Sequence, residues 1–140
     1  MTELRPSIEP EPGSSESPEG GTRTSVLGVI ADLLFETPIR HSASQIGLAY
    51  VHAQTAELLA RQLDLHRPAL VIVDMEIASQ DPAAAIETCK AHAAHPTVIA
   101  YYPHVRNRLA KAAERAGADR VLPRSQFSSQ LPSLLEQVKT

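Results

Sequence analysis

The sequence predicts an α/β protein in which helices cover both faces of a parallel β-sheet. Three observations favour this fold class. Short apolar runs alternate along the chain with stretches of helical periodicity. The run "ALVIVD", residues 69–74, is apolar up to its last residue, as expected for a strand that is covered on both faces. With 140 residues, the chain has room for one such domain and one core.

Residues 1–23 differ in composition from the rest of the chain. The first 22 contain five Glu, four Pro, four Ser and three Gly, and their only larger apolar side chains are Met1, Leu4 and Ile8. Such a segment cannot bury enough apolar surface to offset its conformational entropy. We therefore expect residues 1–23 to form a disordered acidic tail and residues 24–140 to form the folded domain.

Five short segments are predicted strands, because β-branched and other apolar residues dominate them and turn signals flank them. They are "SVLGVI" (residues 25–30), "LAYVH" (48–52), "ALVIVD" (69–74), "TVIAYY" (97–102) and "RVLP" (120–123).

Helix signals lie between these strands. Thr37 is the expected N-cap of the first helix, with Pro38 at its first position and Gly47 as its stop. Thr55 is expected to cap the second helix, and the pair Asp81–Pro82 is expected to open the third.

The last two helices are predicted from their apolar stripes. The fourth is expected to end at Gly117. The fifth requires Pro132 to lie in its first turn, since proline is tolerated there and disrupts a helix interior. Its apolar stripe consists of Leu131, Leu134, Leu135 and Val138.

Five strands alternating with five helices predict the flavodoxin-like (βα)5 arrangement, a doubly wound sandwich with strand order 2-1-3-4-5. In this arrangement, ligands and chemistry gather at the carboxyl ends of the strands. The polar residues found there are Asp32 after the first strand, Asp74 at the end of the third and Arg124 after the fifth.

Composition excludes several classes of function. The formal net charge is -3, so no strong field favours nucleic acid or a membrane surface, and we expect neither as a partner. Cys89 is the single cysteine and cannot form an internal disulfide. No signal-peptide pattern opens the chain and no apolar run approaches the roughly 18 residues of a membrane span, so a cytoplasmic protein is expected.

Motifs for cofactors and nucleotides are missing from the sequence. It contains neither GxGxxG nor GxxxxGK[ST], which argues against dinucleotide and P-loop functions. Its six histidines are scattered and lack a pattern of metal ligands. We therefore expect a protein that is not an enzyme and has no cofactor.

Four stretches carry a resemblance to a known family. They are "VIADLLF", "ALVIVDME", "TVIAYYPHV" and "AKAAERAGADRVLPRSQF". With the spacing between them, the chain from Ser25 to about Lys139 resembles the receiver domain of response regulators, the CheY-like family. Receivers carry a lysine seven residues after the glycine that here is Gly117, and this chain has Arg124 at that position.

The resemblance implies roles for the acidic residues. Asp74 occupies the phosphoacceptor position at the end of the third strand. Receivers have two adjacent acids after the first strand, which hold Mg²⁺ together with the acceptor, whereas this chain has Ala31 and Asp32. Asp32 and Asp74 are therefore expected to form at most a weak Mg²⁺ site.

The resemblance also implies that the switching residues are altered. The hydroxyl that contacts the phosphoryl group in receivers aligns with Tyr102 or Pro103, and the mobile aromatic residue aligns with Val121. Arg124 replaces a compact ammonium group with a planar guanidinium, which suits bidentate pairing with a carboxylate. We expect Arg124 to pair with Asp74, and also with Asp32, and to neutralise the cleft without a metal ion.

These features lead to a main hypothesis and two alternatives. The main hypothesis is a stand-alone pseudo-receiver that signals through protein–protein contact with other signalling proteins. Its fourth helix, fifth strand and fifth helix are the expected contact face, which would also support a homodimer. The first alternative is a receiver phosphorylated on Asp74 by a histidine kinase in a phosphorelay. The second is a small-ligand-binding module whose pocket is lined by Phe35, Tyr101 and Tyr102.

Overall fold

A computed structural model of the protein describes residues 24–103 and 107–139. The predicted acidic tail and the start of the segment after the fourth strand lie outside these residues. The described strands are β1 (Ser25–Val29), β2 (Ala49–His52), β3 (Leu70–Asp74), β4 (Thr97–Tyr102) and β5 (Arg120–Pro123). The described helices are α1 (Leu33–Gln45), α2 (Ala56–His66), α3 (Pro82–Ala91), α4 (Asn107–Ala116) and α5 (Arg124–Lys139).

The strands form a single parallel sheet. Its order is β2-β1-β3-β4-β5, which confirms the predicted flavodoxin-like order 2-1-3-4-5. Because all the strands run in one direction, their carboxyl ends lie at one edge of the sheet. That edge is where the sequence placed Asp32, Asp74 and Arg124.

The core consists of two apolar layers, one on each face of the sheet. Helices α1 and α5 cover one face, where Ile39 and Leu135 are fully buried. Helices α2, α3 and α4 cover the other face, where Leu63 and Ile86 are fully buried. The central strand β3 contributes residues to both layers, which explains why its sequence is apolar without alternation. No helix in the described part of the chain is both long and apolar enough to span a membrane.

Most of the predicted helix ends are confirmed. Thr55 caps α2 by accepting a hydrogen bond from the Leu58 amide, and Asp81 caps α3 with Pro82 at the first helical position. Gly47 and Gly117 have φ angles of 81° and 104°, which a side chain would strain.

The start predicted for α1 is wrong. The helix begins at Leu33 and not after Thr37, because Asp32 supplies a stronger cap by accepting hydrogen bonds from the amides of two first-turn residues. Pro38 therefore lies inside the helix. At this sixth helical position the proline lacks the amide that would donate to the carbonyl four residues earlier, and burial of Ile39 and Ala43 keeps the helix in place.

The position predicted for Pro132 is also wrong. Helix α5 begins at Arg124, so Pro132 lies in its middle and not in its first turn. Leu131 before the proline and Leu134 and Leu135 after it are buried against the sheet. Their packing holds both halves of the helix against the core despite the lost hydrogen bond.

A buried carboxylate joins α1 to the edge strand β2. Glu36 is fully buried, and its Oε2 accepts a 2.6 Å hydrogen bond from the Tyr50 hydroxyl. Nδ1 of His52 lies 3.8 Å from the same oxygen. A Cβ at position 28 would collide with the Tyr50 hydroxyl, so Gly28 on β1 makes the room that this contact requires. Burial, followed by the hydrogen bond to Glu36, raises the pKa of Tyr50 far above its usual range.

We predict that Tyr50→Phe destabilises the fold by about 1–3 kcal/mol, because it removes a hydrogen bond from a buried carboxylate. Urea unfolding followed by circular dichroism measures the change. Gly28→Ala should also destabilise the fold, and adding Tyr50→Phe to it should cost less than the sum of the two single changes. Additive effects would show that Gly28 does not serve to accommodate the hydroxyl.

Candidate functional site

Four side chains meet at the carboxyl edge of the sheet. Asp32 follows β1, and Asp74 is the last residue of β3. Tyr101 on β4 is the register partner of Asp74, and Arg124 is the first residue of α5, directly after β5. The parallel topology thus brings together residues that are up to 92 positions apart along the chain.

Asp32 uses both carboxylate oxygens. Oδ1 accepts hydrogen bonds of 3.0 and 3.3 Å from the amides of Leu34 and Phe35, and so caps α1. Oδ2 accepts a 3.0 Å hydrogen bond from Nη2 of Arg124. The Arg124 hydrogen bond, followed by the one from the Phe35 amide, holds the pKa of Asp32 below its usual range. Asp32 is therefore ionised and committed to these partners at neutral pH.

Arg124 is also held by an aromatic ring. Its guanidinium carbon lies 4.1 Å from the ring centroid of Phe35 and 6.0 Å from that of Tyr101. This is a cation–π distance, and guanidinium groups stack on aromatic faces more readily than ammonium groups do. The Arg124 side chain is 42% exposed. It therefore lies over the outer side of the aromatic residues and is not buried among them.

The expected pairing of Arg124 with Asp32 is found, whereas the expected pairing with Asp74 is wrong. Within the described residues the guanidinium hydrogen-bonds to Asp32, and it acts on Asp74 only as a nearby positive charge. The physical reason is the position of Asp32 at the helix start, where its second oxygen is left free and faces the exposed rim of the cleft. Asp74 lies deeper, with 8% exposure.

Asp74 has a different electrostatic environment from Asp32. Its Oδ1 accepts a 2.8 Å hydrogen bond from the Glu76 amide. Burial is the largest influence on this carboxyl group and raises its pKa, against the lowering effects of the Glu76 amide and the Arg124 charge. The two acids of the cleft thus have pKa values displaced in opposite directions.

The residue that approaches Asp74 is Tyr101 and not Tyr102. Successive strand residues point to opposite faces, and Tyr102 packs with the layer under α2, α3 and α4. The Tyr101 hydroxyl is buried and forms no hydrogen bond of normal geometry among the described residues. It nevertheless lies close enough to Asp74 for a weak hydrogen-bonding interaction, which lowers the pKa of Asp74 and raises that of Tyr101. Tyr101 could have been identified from the sequence by aligning the carboxyl ends of β3 and β4 and noting which residues alternate onto the same face as Asp74.

An aromatic stack fills the space beside the acids. The Tyr101 ring lies 4.9 Å from the Phe35 ring and stacks at 5.1 Å on the Phe127 ring. Tyr101 and Phe127 are almost fully buried. The pocket that the small-ligand hypothesis placed between Phe35, Tyr101 and Tyr102 is therefore filled by packing, and Tyr102 lies on the other face.

The resemblance to receivers assigns the position of their mobile aromatic residue to Val121. Val121 on β5 is partly buried against the layer under α4 and has no ring to move. The cleft also has fewer possible metal ligands than the resemblance to receivers implies. No cluster of three or more His, Cys, Asp or Glu residues that could hold a metal ion occurs in the described ranges. Since both oxygens of Asp32 are engaged, the arrangement does not fit a tight Mg²⁺ site.

The fold is similar to those of response-regulator receiver domains. One such structure is the signal receiver domain of a DNA-binding response regulator protein (merR) from Colwellia psychrerythraea 34H, with a TM-score of 0.70 and 16% identity over 84% of this chain and 99% of that one. A response regulator from Thermotoga maritima gives 0.69 and 14% over 84% and 98%. NtrX from Brucella abortus gives 0.72 and 18% over 84% of this chain but 27% of its own.

These structures share the five-stranded architecture with the present chain, and at this level of identity the likeness establishes the fold. No protein-family model matches the sequence, and no curated protein sequence is significantly similar to it.

We predict that Asp74→Asn and Asp32→Asn change stability in opposite directions at pH 7. Burial raises the folded-state pKa of Asp74, so its contribution to stability is present below about pH 3.9 and is lost as the pH rises through the folded pKa. Asp74→Asn should therefore raise the melting temperature at pH 7 by a few degrees. The folded-state pKa of Asp32 is lowered, so its contribution is present above about pH 3.9 and is lost as the pH falls. Asp32→Asn should lower the melting temperature.

Both differences should shrink as the pH falls toward 3, because the two carboxyl groups become increasingly protonated. Melting curves between pH 3 and pH 8 test this pair, and each variant serves as the control for the other because asparagine preserves the hydrogen-bond acceptor. Changes of the same sign at pH 7 would contradict the assignment of opposite environments to the two acids.

We predict that Tyr101→Phe is neutral or stabilises the fold by up to about 1 kcal/mol, because the hydroxyl it removes is buried and its polar neighbour Asp74 is not within normal hydrogen-bond geometry. Tyr50→Phe is the matched control, since it makes the same chemical change at a hydroxyl that has a partner. Urea unfolding of both variants measures the contrast. An equal loss of stability in the two would mean that the Tyr101 hydroxyl forms a hydrogen bond in solution.

Proposed function

We propose that this protein is an atypical receiver that signals by binding other signalling proteins and is not switched by phosphorylation in the usual way. The observation that carries this proposal is the engagement of Arg124, which bonds to Asp32 and stacks on Phe35. In receivers, the cation at this position is available to a phosphoryl group on the acceptor. Here the cation already has an acid partner and an aromatic support.

Three further features support the proposal. The side chain that faces Asp74 is a buried tyrosine held in a ring stack, so its hydroxyl cannot follow a phosphoryl oxygen as a small serine or threonine can. Val121 has no ring that could move in response. The acid that would accompany Asp32 is replaced by Ala31, which leaves at most a weak site for Mg²⁺.

The proposed contact face consists of α4, β5 and α5. The exposed side of α4 carries Arg108, Lys111 and Arg115, which form no ion pair described in the structure. An acidic surface on a signalling partner, or a second copy of the chain, is the proposed counterpart. Sedimentation velocity with the protein and with Lys111→Glu tests the homodimer.

We propose a cytoplasmic location and a role in binding, without enzymatic activity.

An experiment with beryllofluoride, a mimic of the phosphoryl group, distinguishes the proposed function from that of a receiver phosphorylated on Asp74. The protein is mixed with Mg²⁺ and beryllofluoride while amide chemical shifts are followed by NMR. We expect no saturable shifts at Asp74, Tyr101 or β5. The control is Asp74→Asn, which removes the acceptor. Saturable shifts that disappear in Asp74→Asn would instead support a receiver phosphorylated by a histidine kinase.

A gain-of-function variant tests the reasons given for the altered site. We predict that Ala31→Asp combined with Arg124→Lys tightens Mg²⁺ binding by about tenfold or more, because ligand charge sets affinity and the lysine releases Asp32. Titration with Mg²⁺ followed by NMR measures the affinity. Arg124→Lys alone is the control and should give a smaller gain. Equal affinity in the double variant and the wild type would show that neither residue limits metal binding.

A further inference from the structure

A second concave surface lies at the amino edge of the sheet, opposite the acidic cleft. It is a groove of about 300 Å³ between α5 and the starts of β4 and β5. Its apolar floor is formed by Ile99, Leu134 and Val138. Thr97, Asp119 and Arg120 contribute its polar side. The volume is at the small end of the range for binding pockets and suits one or two aliphatic side chains.

The groove is lined by one acid, Asp119, and one base, Arg120. Asp119 is already satisfied, because its Oδ2 accepts hydrogen bonds from the Lys90 ammonium at 2.8 Å and from the Val98 amide at 2.7 Å. Arg120 is exposed and donates a 3.3 Å hydrogen bond to the neutral amide of Gln130, and its guanidinium has no carboxylate partner among residues 24–103 and 107–139. An apolar floor beside an exposed guanidinium suits an apolar segment flanked by carboxylates.

The chain itself contains such a segment. Among residues 1–22, the larger apolar side chains are Met1, Leu4 and Ile8, and Glu3, Glu9 and Glu11 flank the last two. The segment carries five acids and one base. We propose that Leu4 and Ile8 dock in the groove of the same molecule, with the neighbouring glutamates facing Arg120.

The geometry allows this contact within one molecule. Residues 1–23 lead into β1 at the amino edge of the sheet, where the groove also lies. With strands about 4.8 Å apart, β4 and β5 are two and three positions from β1, which is roughly 10–15 Å. The 16 residues from Ile8 to Thr24 can span up to about 50 Å. Attachment to the same chain also raises the local concentration of the segment.

Docking would cover part of β5 and α5. These elements belong to the face through which the protein is proposed to bind its partners, so the consequence for signalling depends on that proposed function. The docking itself does not, because it follows from the groove and the charges alone. The bound segment would compete with a partner for this face.

The test uses a nitroxide label on the full-length chain. Ser7→Cys places a thiol between Leu4 and Ile8, and the natural Cys89 does not compete for the reagent because it is buried and burial raises its pKa to about 12. We expect the label to broaden the amide signals of Arg120, Leu134 and Val138 more strongly than those of Asp32 and Phe35 at the opposite edge.

Two variants serve as controls. Leu4→Ser with Ile8→Ser removes the apolar contacts, and Arg120→Glu reverses the charge of the groove on an exposed side chain. Each should reduce the selective broadening at least about threefold without changing the melting temperature of the domain. A reduction in Arg120→Glu that high salt also produces in the wild type would support the charge component.

A mixing experiment identifies which molecule supplies the segment. Unlabelled ¹⁵N protein is combined with spin-labelled ¹⁴N protein, so that broadening reports only contacts between molecules. Docking within one molecule predicts little broadening in this mixture. Broadening as strong as in the singly labelled protein would overturn the proposal in favour of exchange between copies. Uniform broadening in the labelled protein, or broadening centred on the acidic cleft, would overturn it altogether.

Discussion

The contact between Arg124 and Asp32 connects the first βα unit to the last. Asp32 ends the loop after β1 and Arg124 opens α5 after β5, so the pair spans the carboxyl edge of the sheet. This contact depends on the parallel order, which brings distant strand ends to one edge. Exposed ion pairs are individually weak. The significance of this one is that it occupies the cation and the second acid that a phosphoryl site would need.

The aromatic residues below Arg124 make this arrangement more than a surface ion pair. Phe35 contacts the guanidinium, and Tyr101 and Phe127 complete a packed stack beneath it. A cation–π contact at an exposed site contributes about 0.5–1 kcal/mol and is additional to the ion pair. Movement of Arg124 toward Asp74 would break both contacts. The aromatic rings consequently fill the interior of the cleft, and Asp74 lies almost fully buried beside them.

The sequence allowed the fold to be predicted more completely than the site. Apolar runs and turn residues indicate all five strands, since strand burial depends on local composition and period. The start of a helix is harder to predict where two possible N-cap residues lie close together in the sequence. Thr37 and Pro38 suggested a helix start, but the Asp32 cap, five residues before Thr37, determines where α1 begins. In the cleft, sequence position identified Asp32, Asp74 and Arg124, and strand alternation could also have identified Tyr101. The choice of Asp32 over Asp74 as the partner of Arg124 depends on side-chain depth. The depth at which a side chain is buried is set by long-range packing and cannot be predicted from the local sequence.

The state of the Arg124 guanidinium in solution tests the central claim most directly. NMR of its side-chain nitrogens reports whether rotation about the terminal bonds is restricted by a lasting hydrogen bond. If Asp32 holds Arg124, we expect a resolved Nη signal from a slowly rotating guanidinium group. This signal should be lost in Asp32→Asn, persist in Asp74→Asn and stay unchanged when Mg²⁺ is added. A freely rotating guanidinium in the wild type, or one that leaves Asp32 when Mg²⁺ is added, would contradict the account.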